Sequence, residues 1–329
     1  MSGTARAVAH PNIALAKYWG KLEAGHNLPA VPSLSVTLDA MSTTTSVGFG
    51  PGLEADRVVI NGAPAGEAEA RRVTELLDRV RDAAGLRTRA WVESANDFPT
   101  ASGLASSASA FAALAVAAAS AAGLDWDSAR LSDLARQSSV SAARSLYGGF
   151  VTLAAGRPGL AFLSAEPMLE GSDWDVAVSV CVTTQRSKDV SSSDGMRRTR
   201  ETSRYYAAWL AEAPRLFQRV QGAVWTRDLE ALGEAAEESA FSMHACAMAA
   251  APAVLYLSAA TVAAIERVRK LRREGTLAYV TMDAGPHVKV LSRSADAERV
   301  SAAMSDVPGV ERVLVARPGR GAEIDLVRP

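Results

Sequence analysis

The sequence predicts an α+β protein of two lobes around a central cleft. Its 329 residues are about twice what a single domain commonly uses. Short β-branched segments alternate with runs of helical periodicity, and in one place a strand passes through a loop of small residues into a buried helix. Hydrophobic residues make up 48% of the chain but aromatic residues only 6%, so the core must come mainly from Ala, Val and Leu.

Residues 5–14 and 33–48 carry β-branched, alternating patterns around a loop at 18–32 rich in Gly, Pro, Asn and charge. Within 66–85, Val73, Leu76, Leu77 and Val80 recur at helical spacing with Arg and Glu on the other face. Residues 89–94 read as a strand, 96–102 as a turn, and 103–122 as an Ala/Ser/Leu helix ending at Gly123. A helix over 128–146 is followed by a hairpin of 150–153 with 160–163, and 175–184 is an apolar strand. Beyond a polar loop at 187–194 the pattern is helical at 195–211, 213–226 and 228–248, and again at 259–274 after Pro252. Strands at 277–282 and 288–291 flank Asp283-Ala-Gly-Pro, and a helix and a strand finish the chain. The lobes divide near residue 184, into 1–184 and 185–329.

Thirty-five basic residues balance thirty-six acidic ones, which removes the broad basic surface expected of a nucleic-acid or membrane-surface binder. Any anion site must therefore be local. Cys181 and Cys246 lie far apart in apolar surroundings, at neither disulfide nor zinc spacing, and read as core thiols. His10, His26, His244 and His287 form no pair at metal-ligand spacing, so no structural metal is expected. No basic leader precedes an apolar segment, and the run 111–123 is too short to span a bilayer, which points to a cytosolic protein.

Four stretches carry chemistry. Pro99-Thr-Ala-Ser-Gly-Leu-Ala-Ser-Ser-Ala feeds small residues and hydroxyls into a helix start, where free N–H groups can meet a polyphosphate; a close-packed helix N-terminus would use the same residues. There is no Walker lysine and no dinucleotide Gly-x-Gly-x-x-Gly. Asn12-Ile-Ala-Leu-Ala-Lys-Tyr-Trp-Gly-Lys presents two cations and two aromatics on one loop. In Ser141-Ala-Ala-Arg-Ser-Leu-Tyr-Gly-Gly-Phe, Ser141 and Arg144 share a helix face with Ser139 one turn earlier, an anion clamp suited to a carboxylate. Met282-Asp-Ala-Gly-Pro puts Asp283 at a strand end. Taken singly, Asp283 also reads as a turn former, Lys17 as a surface lysine and Arg144 as a cation favoured by a helix C-terminus.

Together, in this order and along essentially the whole chain, the four stretches resemble the diphosphomevalonate decarboxylase branch of the GHMP kinase superfamily. The resemblance implies a ribosomal-protein-S5-domain-2-like first lobe and a ferredoxin-like second lobe. It implies ATP with Mg²⁺ as cofactors, a phosphorylated mevalonate as substrate, and a cytoplasmic homodimer that binds neither nucleic acid nor membrane. It makes Asp283 the catalytic carboxylate, Lys17 its neighbour and the cation for the transferring phosphoryl group, and Arg144 the clamp for the departing carboxylate. Substrate contacts fall on Tyr18, Trp19, Gly20, Lys21, Arg72, Ser139, Ser141, Arg144, Lys188, Ser192 and Thr199. Contacts to ATP fall on Ser94, Asn96, Pro99, Ser102, Gly103, Leu104, Ala105, Ser106 and Ser107, with Ser107 also a candidate ligand to Mg²⁺. Ser191, Ser192 and Ser193 follow Lys188 in a loop resembling the family's phosphate-side segment, but certain bacterial members carry Arg where this chain has Ser193. A decarboxylase of the 5-monophosphate, a small-molecule kinase on the same scaffold and a catalytically idle sensor are the alternatives.

Overall fold

The computed structural model describes residues 3–22, 27–98, 106–184 and 189–325. The first sheet contains β1 (Thr4–Ala9), β4 (Thr43–Gly50), β5 (Arg57–Ile60), β6 (Ala63–Pro64), β7 (Arg89–Asn96) and β14 (Glu323–Ile324), in the order β14-β1-β4-β7-β5-β6. The second runs β2 (Asn12–Ala16), β3 (Ser33–Thr37), β8 (Phe150–Leu153), β9 (Glu166–Leu169). The third combines β10 (Val176–Val182), β11 (Ala278–Met282), β12 (Val288–Arg293) and β13 (Arg312–Ala316) as β11-β12-β10-β13. Helices are α1 (Glu67–Ala84), α2 (Ser106–Ala121), α3 (Ser128–Ser138), α4 (Ser192–Thr202), α5 (Tyr206–Thr226), α6 (Leu229–Met248), α7 (Ala259–Arg273) and α8 (Ala297–Ser305). The lobe division expected near residue 184 falls after β10, whereas β10 hydrogen-bonds β12 and β13, and the last strand returns to pair with β1.

Three of the five hydrophobic clusters among the described residues hold these layers. Val47, Val92, Val73, Leu77 and Val80 join the first sheet to α1, with α2 buried between. Helix α2 is apolar on nearly every side, and its alanines let it approach the sheet and α3 closely. One face of the third sheet packs Val280, Met282, Val288 and Val290 on α7 and α8. Its other face, with Val178, Val180, Tyr279 and Leu291, meets α5, α6 and the second sheet through Leu232, Ala236, Ile13, Leu34 and Phe150. This last core joins the two halves and sets the ends of β2 and β11 side by side.

The expected helix over 128–146 breaks at Ser139, whose extended backbone (φ −152°, ψ 116°) separates α3 from a 3-10 helix at Val140–Leu146. Asn12 holds the second piece, its amide donating to the Ser141 carbonyl (2.9 Å) and the Ser145 hydroxyl (2.8 Å). The hairpin partner of β8 is β9 rather than 160–163. Side chains of α3 have already taken the backbone groups there: Leu163 N–H donates to Asp133 (2.9 Å), Arg136 donates to the Leu163 carbonyl (3.0 Å), and Ala165 N–H donates to Ser132 (2.9 Å). Pro214 does not divide α5, because Trp209, Ala213, Leu216 and Val220 keep one buried stripe across it. That packing outweighs the roughly 3 kcal/mol a proline costs inside a helix.

Gly233 lies where α6 crosses β11, and an added Cβ would overlap the Tyr279 ring, itself buried under Arg272. Gly222 on α5 has open space around it. Gly233→Ala should therefore lower stability by about 1–3 kcal/mol through overpacking, against its gain in helix propensity. Gly222→Ala should raise stability by roughly 0.5–1 kcal/mol, and urea unfolding of the pair reads both.

Candidate active site

Lys17 follows the end of β2 and is buried; its ammonium donates to the Ala14 carbonyl (2.8 Å) and to Oδ1 of Asp283 (2.7 Å). Its backbone N–H donates to Ser239 of α6 (2.9 Å), and Thr281 of β11 also donates to the Ala14 carbonyl (3.3 Å). Asp283 follows β11, and its second oxygen pairs with Lys289 of β12 (3.1 Å). Both lysine side chains are closed off, at 1% and 0% exposure, while the Asp283 side chain is 23% exposed. The carboxylate is therefore the member an entering ligand meets. Burial acts to raise its pKa, but Lys17 and Lys289 overcome that and hold it well below the usual carboxylate range. Burial lowers Lys17 to about 8, with Asp283 opposing the change and Lys289 and Arg144 adding to it.

Arg144, on the 3-10 helix, is equally buried and donates to the hydroxyls of Ser35 (2.9 Å) and Ser33 (2.6 Å) on β3. Among the described residues it has no carboxylate ion pair and its hydrogen-bond partners are neutral hydroxyls, while the charge of Asp283 acts on it through space. Burial brings it down to about 10, which leaves it cationic at neutral pH. At the break, the Ser139 and Ser141 hydroxyls lie 3.3 Å apart. Among the described residues the buried Tyr18 hydroxyl has no hydrogen-bond partner, and burial raises its pKa. Trp19 packs edge-on against Tyr256 (6.0 Å), and its carbonyl accepts from Trp209 (2.7 Å). Gly20 turns the chain at φ 115°, where a Cβ would strike the Tyr206 hydroxyl.

Lys21 donates to Asn27 (2.7 Å) and Ser193 (3.3 Å) at an open cleft of about 380 Å³, lined also by Leu22, Met196, Arg197 and Arg200. Burial lowers Lys21, and Arg72 lowers it further. Arg72 donates to the Ser138 carbonyl (2.9 Å) over the Phe111 ring, next to the Ser139 break. Ser192 opens α4 behind its cap Ser191. Thr199 is buried and its hydroxyl donates back to Gly195 (2.7 Å), so α4 itself uses that group.

Ser94 and Asn96 end β7 with Thr43, Thr45 and Ser109 around them: Thr45 and Ser94 hydroxyls lie 2.9 Å apart, and Thr43 reaches Asn96 (2.5 Å) and Ser109 (2.6 Å). Ser106 and Ser107 begin α2, whose first turn holds no acidic residue to compete with an anion. Pro99, Ser102, Gly103, Leu104, Ala105 and Lys188 lie outside the described residues.

Residues 9–161 match the family model for the diphosphomevalonate decarboxylase-like N-terminal domain, and residues 178–316 match that for the mevalonate 5-diphosphate decarboxylase C-terminal domain. The chain belongs to the diphosphomevalonate decarboxylase family. Diphosphomevalonate decarboxylase of Candida albicans is 32% identical over 312 residues, covering 90% of this chain and 86% of that one. Phosphomevalonate decarboxylase of Haloferax volcanii is 32% identical over 308 residues, covering 93% of each. The solved complex of MDDEF with MVAPP, AMPPCP and magnesium superposes with a TM-score of 0.91 at 40% identity, over 98% of this chain and 99% of that one.

Two buried groups at this decarboxylase-family centre escaped sequence reasoning. Lys289 stands between Val288 and Val290, and a lone lysine in an apolar strand was its only signal. His244 on α6 is buried edge-on to Tyr256 (6.2 Å) and carried no motif. Burial first, then Lys17, lowers His244 to about 4 from its ordinary 6.5. Between those values the unfolded chain binds a proton that the folded protein excludes, so stability falls as pH drops through the window, by up to about 3 kcal/mol. His244→Gln should remove that part of the loss when urea unfolding is compared at neutral and mildly acidic pH. An unchanged slope would show that the ring does not govern it.

Proposed function

We propose that this protein is an ATP-dependent decarboxylase converting (R)-5-diphosphomevalonate to isopentenyl diphosphate, ADP, phosphate and carbon dioxide. The observation that carries this reading is a part-exposed carboxylate, Asp283, acting through space on a buried guanidinium, Arg144, whose hydrogen bonds go to neutral hydroxyls. A tertiary alcohol to be oriented and a carboxylate to be lost need that combination. Asp283 accepts the hydrogen bond of the 3-hydroxyl and aims its oxygen at the γ-phosphorus of ATP; as that O–P bond forms, the bond from the γ-phosphorus to ADP breaks with its pair going to ADP, and the hydroxyl proton is released to water. Lys17 offsets negative charge on the transferring phosphoryl group. The 3-phosphate then leaves with its bonding pair, positive character grows at C3, and the C1–C2 pair moves in as carbon dioxide departs. Arg144, with Ser139 and Ser141, holds the C1 carboxylate in line, while the charge of Asp283 faces the developing cation.

Ser94, Asn96, Ser106 and Ser107, with the small and hydroxyl residues at 99–105, suit the nucleotide phosphates, in keeping with the AMPPCP and magnesium of the MDDEF complex. Mg²⁺ arrives with ATP and neutralises its phosphate oxygens, with Ser107 as the protein hydroxyl nearest that role. Tyr18, Lys21, Ser192 and Lys188 serve the 5-diphosphate; Arg197 and Arg200 line the same cleft where Ser193 offers no charge. A cytoplasmic homodimer belongs to the same proposal.

Purified protein with ATP, Mg²⁺ and C1-labelled mevalonate 5-diphosphate should release ADP and labelled carbon dioxide in equal amounts. The same result from the 5-monophosphate alone would move the protein beside its Haloferax relative, and ADP without carbon dioxide would make it a kinase. Asp283→Asn should cut kcat by about 10³-fold or more with nucleotide binding little changed. Arg200→Gln should raise KM for the diphosphate roughly tenfold through a lost charged contact, with kcat nearly constant. An unaltered KM would take Arg200 out of substrate binding.

A further inference from the structure

Lys289 is buried in the second half of the chain with Asp283 as its ion-pair partner among the described residues. Strand register explains its aim. Lys289 sits opposite Thr281 on β11, so its side chain leaves the sheet on the face where Asp283 lies two residues farther on. Lys17 reaches the other oxygen from β2, so each carboxylate oxygen has its own ammonium.

A buried lysine is costly, and one retained for packing alone would be better replaced by an apolar chain of the same length. Two lysines on one carboxylate are useful if one of them has a second task. In the reaction proposed above, on which this inference rests, Lys17 must turn its charge toward the phosphoryl group.

We propose that Lys289 is the positioning residue of this reaction, holding Oδ2 of Asp283 so that the carboxylate keeps its charge and direction while Lys17 serves the phosphate. Lys17, at the end of β2, faces Asp283 directly. His244 from α6 and Arg144 from the 3-10 helix act on the cluster through space, Ser239 of α6 adds a hydroxyl, and Cys181 from β10 lies near Lys289. Burial keeps His244 neutral and the Cys181 thiol protonated near neutral pH, so Lys289 is the cation whose removal most alters Asp283 and Lys17 together.

The test is the pH dependence of kcat in the full-length protein for wild type, Lys289→Met, Lys289→Arg and Asp283→Asn. Removing one positive charge raises the pKa of Asp283 and of Lys17 alike. Lys289→Met should therefore move the acid and alkaline limbs in the same upward direction and lower kcat by roughly tenfold or more, with KM for ATP little changed. Lys289→Arg, which returns the charge, should bring both limbs back. Lys289→Gln asks the same question if the methionine variant does not fold. Wild-type limbs and kcat in a folded Lys289→Met, with Asp283→Asn inactive, would overturn the role of Lys289 alone. Failure of the arginine variant to return the limbs would overturn it too. A fully active Asp283→Asn would instead remove the reading of the site itself.

Discussion

One carboxylate clamped between two buried ammonium groups organises this molecule. Lys17 comes from the second sheet, Asp283 and Lys289 from the third, and the core shared by those sheets with α5 and α6 brings them together. Leaving any member alone would strand a charge in a desolvated place, at a cost of several kcal/mol. The cluster thus makes correct docking of the two halves a condition for satisfying its own charges. The shared carbonyl of Ala14, accepting from Lys17 and Thr281, repeats the same cross-link in neutral form.

The charge balance is deliberately incomplete. Lys17, Lys289 and Arg144 are cations in closed surroundings, and Asp283 is the carboxylate that faces them. Arg144 rests on hydroxyls of Ser33 and Ser35, which take two of its five donors without neutralising it. Lys21, Arg197 and Arg200 line an open cleft at α4, with Arg197 paired to Asp194 (2.7 Å) and Arg200 near Glu201 (3.6 Å). This set of cations favours a polyanion carrying both a carboxylate and phosphates, because buried Arg144 is held in place for one and the part-exposed Lys21, Arg197 and Arg200 offer charge to the other.

Rigidity around the cluster comes from small devices. Asn12 fixes the 3-10 helix that carries Arg144, and the irregular backbone at Ser139 brings the Ser139 and Ser141 hydroxyls within 3.3 Å of each other. Asp133 and Arg136, a buried pair one helix earlier, occupy the backbone of residue 163 and prevent the strand that local composition favours there. The loop that forms instead closes against Leu28, Val140 and Leu153.

Much of this was legible from residue order. Helical spacing marked α1 and α7, and the apolar runs that became β10 and β11 were equally plain. The four stretches around Lys17, the phosphate loop, Arg144 and Asp283 announced both family and chemistry, since short-range composition there is dictated by what the backbone and side chains must bind. What local pattern could not contain was anything settled by distant partners. The break at Ser139 depends on Asn12, the pairing of β9 on Asp133 and Arg136, and the uninterrupted course of α5 through Pro214 on the stripe it buries. Thr199 matched a substrate position in sequence, yet its hydroxyl bonds within α4. Lys289 and His244 looked like a strand lysine and a helix histidine, and only strand register and helix packing put them beside Asp283. The sequence by itself determined which elements form and which chemistry they carry; tertiary structure decided which charges meet, because desolvation and pairing energies exist only once distant segments are packed together.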